Sequence, residues 1–175
     1  MVGAVPVSSY PNINLKGELR NMTLKTAIVK ALRVRQASAH CDIPCGIYDP
    51  VSAKIAAQTV LKMVMKIQAL GGGDDTTTQN SLSRYITVKE EHATLCKKEL
   101  DILWHDYFRP DHLESYPDLH TKVWTATKLA GANKQNVDLE SAQQLVAAVD
   151  EIAGIFWATK GVEYSDPVSD VRFGT

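Results

Sequence analysis

Two thiols and one imidazole lie within six consecutive residues, from His40 to Cys45. Pro44 and Gly46 allow the backbone to turn sharply here, so the sulfurs of Cys41 and Cys45 can reach one metal ion. Thiolates combined with imidazole suit zinc, copper or nickel better than magnesium or calcium. The Cys-x3-Cys spacing alone is a weak signal, and the chain has no second cysteine pair for a four-ligand structural zinc site.

The position of His40 suggests where further ligands come from. It directly follows Ala37-Ser38-Ala39, a small-residue pattern that peptidases favour. Cleavage after Ala39 gives His40 a free amine. That amine, the peptide nitrogen between residues 40 and 41 and two thiolates form a square plane, with the imidazole as an optional axial ligand. Nickel and copper prefer this tetragonal geometry, so we predict that cleavage completes the site.

The charge of the chain is unevenly distributed. Residues 1–39 carry six basic groups and one acidic group, a net +5, and the remaining residues carry 13 basic and 19 acidic groups, a net −6. A basic, acid-poor segment fits either a removable leader, of the organelle-targeting kind among others, or a basic arm that stays attached. We expect the protein in the cytoplasm, or in an organelle if residues 1–39 are a targeting segment.

The whole composition excludes several classes of protein. The net charge is only −1, which argues against a general nucleic-acid binder. No stretch approaches 18 uninterrupted apolar residues, so no transmembrane helix and no membrane partner are expected. Three cysteines in 175 residues rule out a disulfide scaffold.

The elements that must position this segment are predicted to be four amphipathic helices. Their predicted bounds are Val51 to Leu70, Ser81 to Tyr107, Pro117 to about Ala130, and a fourth helix capped by Asp138. Between them we expect a loop from Asp74 to Asn80 and a turn from Gly131 to Val137, and after them a loosely ordered polar tail, residues 161–175. The fold class is therefore all-α, an antiparallel four-helix bundle with an N-terminal metal-binding hook.

Several side chains are assigned to the core or to ordinary roles. We expect Cys96 and His92 on the inward face of the second helix, and Trp124 on that of the third. His105, His112 and His120 are more simply separate histidines near helix ends than a second metal cluster.

Residues 40–50 read HCDIPCGIYDP, which resembles the nickel hook of nickel-dependent superoxide dismutases. The family pattern is His-Cys-Asp-x-Pro-Cys-Gly-x-Tyr-Asp-Pro, and every fixed position matches. The resemblance continues at residues 102–110, 116–120 and 155–157, and it covers about residues 40–160. It implies a leader removed before His40, a four-helix bundle assembled as a homohexamer, and one nickel ion in each subunit.

The resemblance also implies the metal ligands. His40 would bind nickel through its amine and, in the oxidised state, its imidazole. Cys41 would bind through its backbone nitrogen and sulfur, and Cys45 through its sulfur. The implied activity is the dismutation of superoxide to oxygen and hydrogen peroxide with Ni(II)/Ni(III) cycling, after a maturation protease has cut behind Ala39.

Other residues would surround the nickel. Pro44 would follow a cis peptide that closes the hook, and Tyr48 would stand as a gate at the open axial face. Asp42 and Tyr107 would belong to the hydrogen-bonded shell. The backbone carbonyl of Ile47 is a candidate acceptor for the second N–H of the axial imidazole.

The chain departs from the family at one pair of positions. Some members hold the axial imidazole with a Glu that is paired with an Arg; Ala56 and His92 stand at these positions here. Two other functions stay open from the residues alone: a non-catalytic nickel- or copper-binding bundle, and an interaction bundle whose hook binds no metal.

Overall fold

The computed structural model describes residues 46–174, which form helices joined by short loops, with no strand among them. In chain order the helices are α1 (Val51–Ala69), α2 (Thr76–Ile102), α3 (Pro110–Ser115), α4 (Leu119–Gln135), α5 (Leu139–Thr159) and α6 (Ser169–Phe173), and a π-helical turn, Leu103–Tyr107, follows α2 directly. Within residues 46–174, no helix has both the length and the apolar character that crossing a membrane requires.

The four long helices enclose one core. Helix α1 packs against α2 and α5, and α4 packs against the same two helices. Because short connections join antiparallel neighbours, this ring is an up-down-up-down bundle, and the predicted fold class is confirmed for the helices. Cys96 is fully buried in the core, as predicted.

The predicted start of the second helix was wrong. Helix α2 begins at Thr76, inside the stretch from Asp74 to Asn80 that was predicted as a loop. The carboxylate of Asp75 accepts a hydrogen bond from the Thr78 backbone N–H at 3.0 Å, so Asp75 caps the helix. The end also differs, because α-helical bonding stops at Ile102 and the last turn is π-helical.

The predicted bounds of the third helix were also wrong. The corresponding helix in the structure is α4. It begins at Leu119 and continues through Gly131 to Gln135, so the predicted turn from Gly131 lies largely within the helix. Trp124, predicted to point inward, is 57% exposed, whereas Val123 is buried. Adjacent helical residues are about 100° apart around the axis, so these two face different sides.

The C-terminal tail is more ordered than predicted. It contains α6, and Gln58 on α1 donates a hydrogen bond to the Ser169 hydroxyl at 2.8 Å. Lys54 on α1 forms an ion pair with Asp166 at 2.9 Å. A tail that supplies an ion pair to a buried lysine is part of the fold.

Candidate metal centre

The described chain starts one residue after the last predicted metal ligand. His40, Cys41, Asp42, Pro44 and Cys45 lie outside the described residues, so their roles and the cis peptide before Pro44 stay predictions.

Gly46 to Pro50 join the hook to the bundle. Gly46 has φ +71°, a left-handed conformation that strains any residue with a Cβ. The Asp49 carboxylate then accepts a hydrogen bond from the Val51 N–H at 2.8 Å, at the first residue of α1. The segment after Cys45 therefore has a left-handed residue at Gly46 and leads directly into α1.

Two predicted site tyrosines come together beside this point. Tyr48 is half-buried against the core, and its ring centroid lies 5.5 Å from that of Tyr107, with 53° between the ring planes. Tyr107 is the last residue of the π-helical turn, where the Phe108 N–H donates to the Leu103 carbonyl at 2.9 Å. The additional residue in this turn changes the direction of the side chains that follow α2, and such turns are frequent at functional sites.

Three residues that the sequence analysis did not assign to the site contact Tyr107. The Tyr107 hydroxyl lies 2.7 Å from the Thr159 hydroxyl oxygen, the Lys160 ammonium lies 5.2 Å from the ring centroid, and the His112 ring stacks at 5.5 Å. Thr159 and Lys160 follow residues 155–157 almost directly, so their closeness to a segment that carries the family resemblance was the available signal.

Burial favours the neutral form of His112. It is 8% exposed, and burial lowers its pKa, an effect that the nearby Asp111 carboxylate only partly opposes. Its Nδ1 accepts a hydrogen bond from the Arg109 backbone N–H at 3.3 Å. The Arg109 side chain is exposed and pairs with Asp111 at 3.4 Å, which makes it an ordinary surface ion pair.

The other two histidines near the helix ends have separate partners. His105 Nδ1 donates to the Asp101 carbonyl at 2.8 Å, and the His120 ring lies 5.3 Å from Trp104. Across residues 46–174, no three side chains of His, Cys, Asp or Glu come together to hold a metal ion.

Ala56 and His92, which stand at the two positions that depart from the family pattern, are both placed by the bundle. Ala56 is fully buried on α1. His92 on α2 is half-buried, and its Nδ1–H donates to the Val88 carbonyl at 2.9 Å, within its own helix. The side chain of Ile47 is 73% exposed, and the proposed bond of its carbonyl to the His40 imidazole stays a prediction.

Comparison with known proteins agrees with these features. The model of the family "nickel-containing superoxide dismutase" matches residues 35–160. A superoxide dismutase [Ni] from Streptomyces seoulensis is 44% identical over 71% of this chain and 91% of the relative. The corresponding protein of Streptomyces coelicolor is 41% identical over 70% of this chain and 89% of the relative.

Solved structures show the same relationship. A crystal structure of a nickel-containing superoxide dismutase with oxidised-state nickel ligation superimposes with a TM-score of 0.63. It is 43% identical in sequence, and the match covers 70% of this chain and 100% of that one. With the matched residues extending from before the hook to the end of α5, the chain belongs to the nickel-containing superoxide dismutase family.

Proposed function

We propose that this protein is a nickel-dependent superoxide dismutase whose metal site is completed by cleavage before His40. The observation that carries the proposal is the hook sequence of residues 40–50. In its described part, from Gly46 onward, Tyr48 contacts the ring of Tyr107. The family match supports both the activity and the requirement for nickel.

The donor set fits nickel. His40 would contribute an amine and an imidazole, Cys41 a backbone nitrogen and a thiolate, and Cys45 a second thiolate. Nitrogen and thiolate donors suit nickel and would stabilise its higher oxidation state. When bound, nickel supplies the one-electron exchange between Ni(II) and Ni(III) that dismutation requires.

The protein's own groups must admit a small anion and supply protons. Two superoxide ions and two protons give one oxygen and one hydrogen peroxide, so each turnover consumes two protons. The rings of Tyr48 and Tyr107 contact each other, with their centroids 5.5 Å apart, close to where residues 46–50 lead into α1. We assign Tyr48 the role of gate and proton donor, and Tyr107 a place in the hydrogen-bonded shell beside it.

The cleavage requirement follows from amine chemistry. While Ala39 is attached, the His40 nitrogen is an amide, which does not bind metal as a neutral donor. A protease that cuts behind Ala39 would therefore control activation. In this proposal residues 1–39 are a leader, residues 40–160 form the enzyme and residues 161–175 are a C-terminal extension.

The assembly and location of the mature enzyme are further parts of the proposal. We infer a homohexamer, with one nickel in each subunit. We place it in the cytoplasm, with an organelle as the alternative if the basic leader is a targeting segment.

Two chains that differ by one residue test the proposal. One begins at His40 and the other at Ala39, and both are refolded with nickel. The chain beginning at His40 should bind one nickel and remove superoxide in a stopped-flow assay. The chain beginning at Ala39 should lose at least about 100-fold in rate, because it lacks one ligand.

A Cys45→Ser variant of the His40 chain serves as a second control and should lose nickel. Native mass spectrometry of the protein from its own cells should show a hexamer of chains beginning at His40. Stoichiometric nickel without dismutation would contradict the enzyme assignment, and equal activity of the two chains would contradict the role of cleavage.

A further inference from the structure

The last turn of α5 ends in a hydrogen bond that involves a side chain. The Thr159 hydroxyl donates to the Phe156 carbonyl at 2.6 Å. The backbone N–H of Lys160, four residues after Phe156, donates to the Trp157 carbonyl instead. Thr159 therefore satisfies a carbonyl that the helix end would otherwise leave without its usual donor.

This bond determines the direction of the next one. A hydroxyl group has one proton, and that of Thr159 is directed to Phe156. In the 2.7 Å contact between the hydroxyls of Thr159 and Tyr107, Tyr107 must therefore donate and Thr159 accept. The Tyr107 oxygen keeps lone pairs that can accept a hydrogen bond from another group.

The ring of Tyr107 is held on several sides. Its centroid lies 4.4 Å from that of Phe156 and 5.5 Å from that of His112, and the Lys160 ammonium lies 5.2 Å away. With the ring held in place, rotation of the phenolic O–H is the main remaining freedom. Thr159 removes that freedom.

We propose that Thr159 is a positioning residue for proton delivery, because it keeps Tyr107 as a hydrogen-bond acceptor beside Tyr48. The proton of Tyr107 is directed to Thr159. The protons that convert reduced superoxide to hydrogen peroxide then come from Tyr48, or from a water molecule bonded to the Tyr107 oxygen, and are replaced from solvent. This inference rests on the proposed function, in which the two tyrosines serve the nickel site.

The main test compares three variants of the nickel-loaded chain that begins at His40. Thr159→Val keeps the shape of the side chain but removes the hydroxyl, and Thr159→Ser restores a hydroxyl. Thr127→Val is the matched control, because Thr127 also donates to a carbonyl three residues earlier, that of Trp124, at 2.9 Å. This bond of Thr127 lies on α4 and involves neither site tyrosine.

Thr159→Val should lower kcat for superoxide by roughly ten- to a hundredfold, the cost of misplacing a catalytic group, with little change in nickel content. Thr159→Ser should recover most of the rate, and Thr127→Val should stay within about twofold of the unchanged chain. An equal loss in Thr127→Val, or no recovery in Thr159→Ser, would overturn the proposal.

A second readout does not depend on activity or on nickel. The phenolic C–O stretching band of Tyr107 is obtained as the infrared difference between the metal-free protein and its Tyr107→Phe variant. The band should shift in a Thr159→Val background, because the phenol loses its acceptor, and stay in place in Thr127→Val. A band that does not move would overturn the hydrogen-bond assignment.

The two readouts separate the possible failures. If the unchanged nickel-loaded chain does not dismute superoxide, the proposed function fails and the role in proton delivery fails with it, whatever the band shows. If the unchanged chain is active and Thr159→Val is equally active, only the positioning role is wrong.

Discussion

Two buried lysines show how partner chemistry sets the state of a charge. Burial alone would lower the pKa of Lys54, but its hydrogen bonds to Asp150, Tyr164 and Asp166 outweigh that effect and raise the pKa. Among the described residues, the hydrogen-bond partners of Lys89 are the carbonyls of Asn133, Lys134 and Asn136 at the end of α4, and burial lowers its pKa. Lys54 is therefore part of an ion-pair network, whereas Lys89 caps a helix.

Replacing Lys89 should be costly. Lys89→Met keeps most of the side-chain volume but leaves the C-terminal carbonyls of α4 without their donor. We expect a loss of about 2–3 kcal/mol in the free energy of unfolding, measured by urea denaturation. Lys97→Met, at an exposed position of the same helix, should change it by less than about 0.5 kcal/mol. Equal effects would show that the Lys89 contacts do not stabilise the end of α4.

His112 should make the fold sensitive to mild acid. Burial lowers its pKa below the ordinary value of 6.5, so the unfolded chain takes up this proton at a higher pH than the folded chain does. The stability that His112 contributes is present above pH 6.5 and is lost as the pH falls through its native pKa. Urea unfolding at pH 7.5 and pH 5.5 should therefore show a larger difference for the unchanged protein than for His112→Asn. Equal differences would argue against this sign.

At the scale of elements, the carboxylate of Asp166 links the C-terminal extension to α1, in addition to the bond between Gln58 and Ser169. Asp166 pairs with Lys54 at 2.9 Å and with Arg172 at 2.8 Å, so it joins α1 to α6. The family match ends at residue 160, before this extension begins. The extension thus adds a contact to the helix that carries the hook.

Removing that carboxylate should release the extension. Asp166→Asn leaves Arg172 without its carboxylate partner and Lys54 with Asp150 as its remaining carboxylate, and we expect a loss of about 2 kcal/mol in stability. Trypsin should then cleave at Arg172 faster than in the unchanged protein. Glu163→Gln, at an exposed position of the same segment, is the control and should leave both measurements unchanged. Unchanged cleavage at Arg172 in Asp166→Asn would mean that other contacts hold the extension.

The helix boundaries show what the sequence can predict. The predicted fourth helix, which is α5 in the structure, was placed correctly. Asp138 caps it, because its carboxylate accepts a hydrogen bond from the Ser141 N–H at 3.0 Å, and its apolar residues recur at a regular period. The start of α2 was missed because Thr76 to Asn80 are polar and none of them is buried, so no apolar period marks this first turn. The end of α4 was missed because Lys89, distant in sequence, caps it.

The site shows the same division. The chemistry of His40, Cys41 and Cys45 and the identity of the tyrosines followed from the hook sequence and the family resemblance. The contact of Tyr107 with Thr159 did not, because it requires a π-helical turn and the last turn of α5 to meet. Local propensity does not encode such a meeting of distant segments.

At the scale of the whole molecule, maturation should change the charge. Removing residues 1–39 takes away a net +5 and changes the formal charge from −1 to −6. Isoelectric focusing of protein from its own cells should therefore place the nickel-containing species on the acidic side of the full-length chain. If nickel were found only in the band of the more basic, uncleaved form, the proposed order of cleavage and metal loading would be contradicted.

The burial of Cys96 simplifies the sulfur chemistry of the whole molecule. This thiol has no exposed surface, and burial raises its pKa to about 12. At neutral pH only about one molecule in 10⁵ would carry it as a thiolate. The Cys96 thiol is therefore not available to bind nickel during loading or to react with the peroxide that the enzyme would release. A thiol-alkylating reagent should accordingly modify at most two cysteines of the folded metal-free chain, and the third only after unfolding.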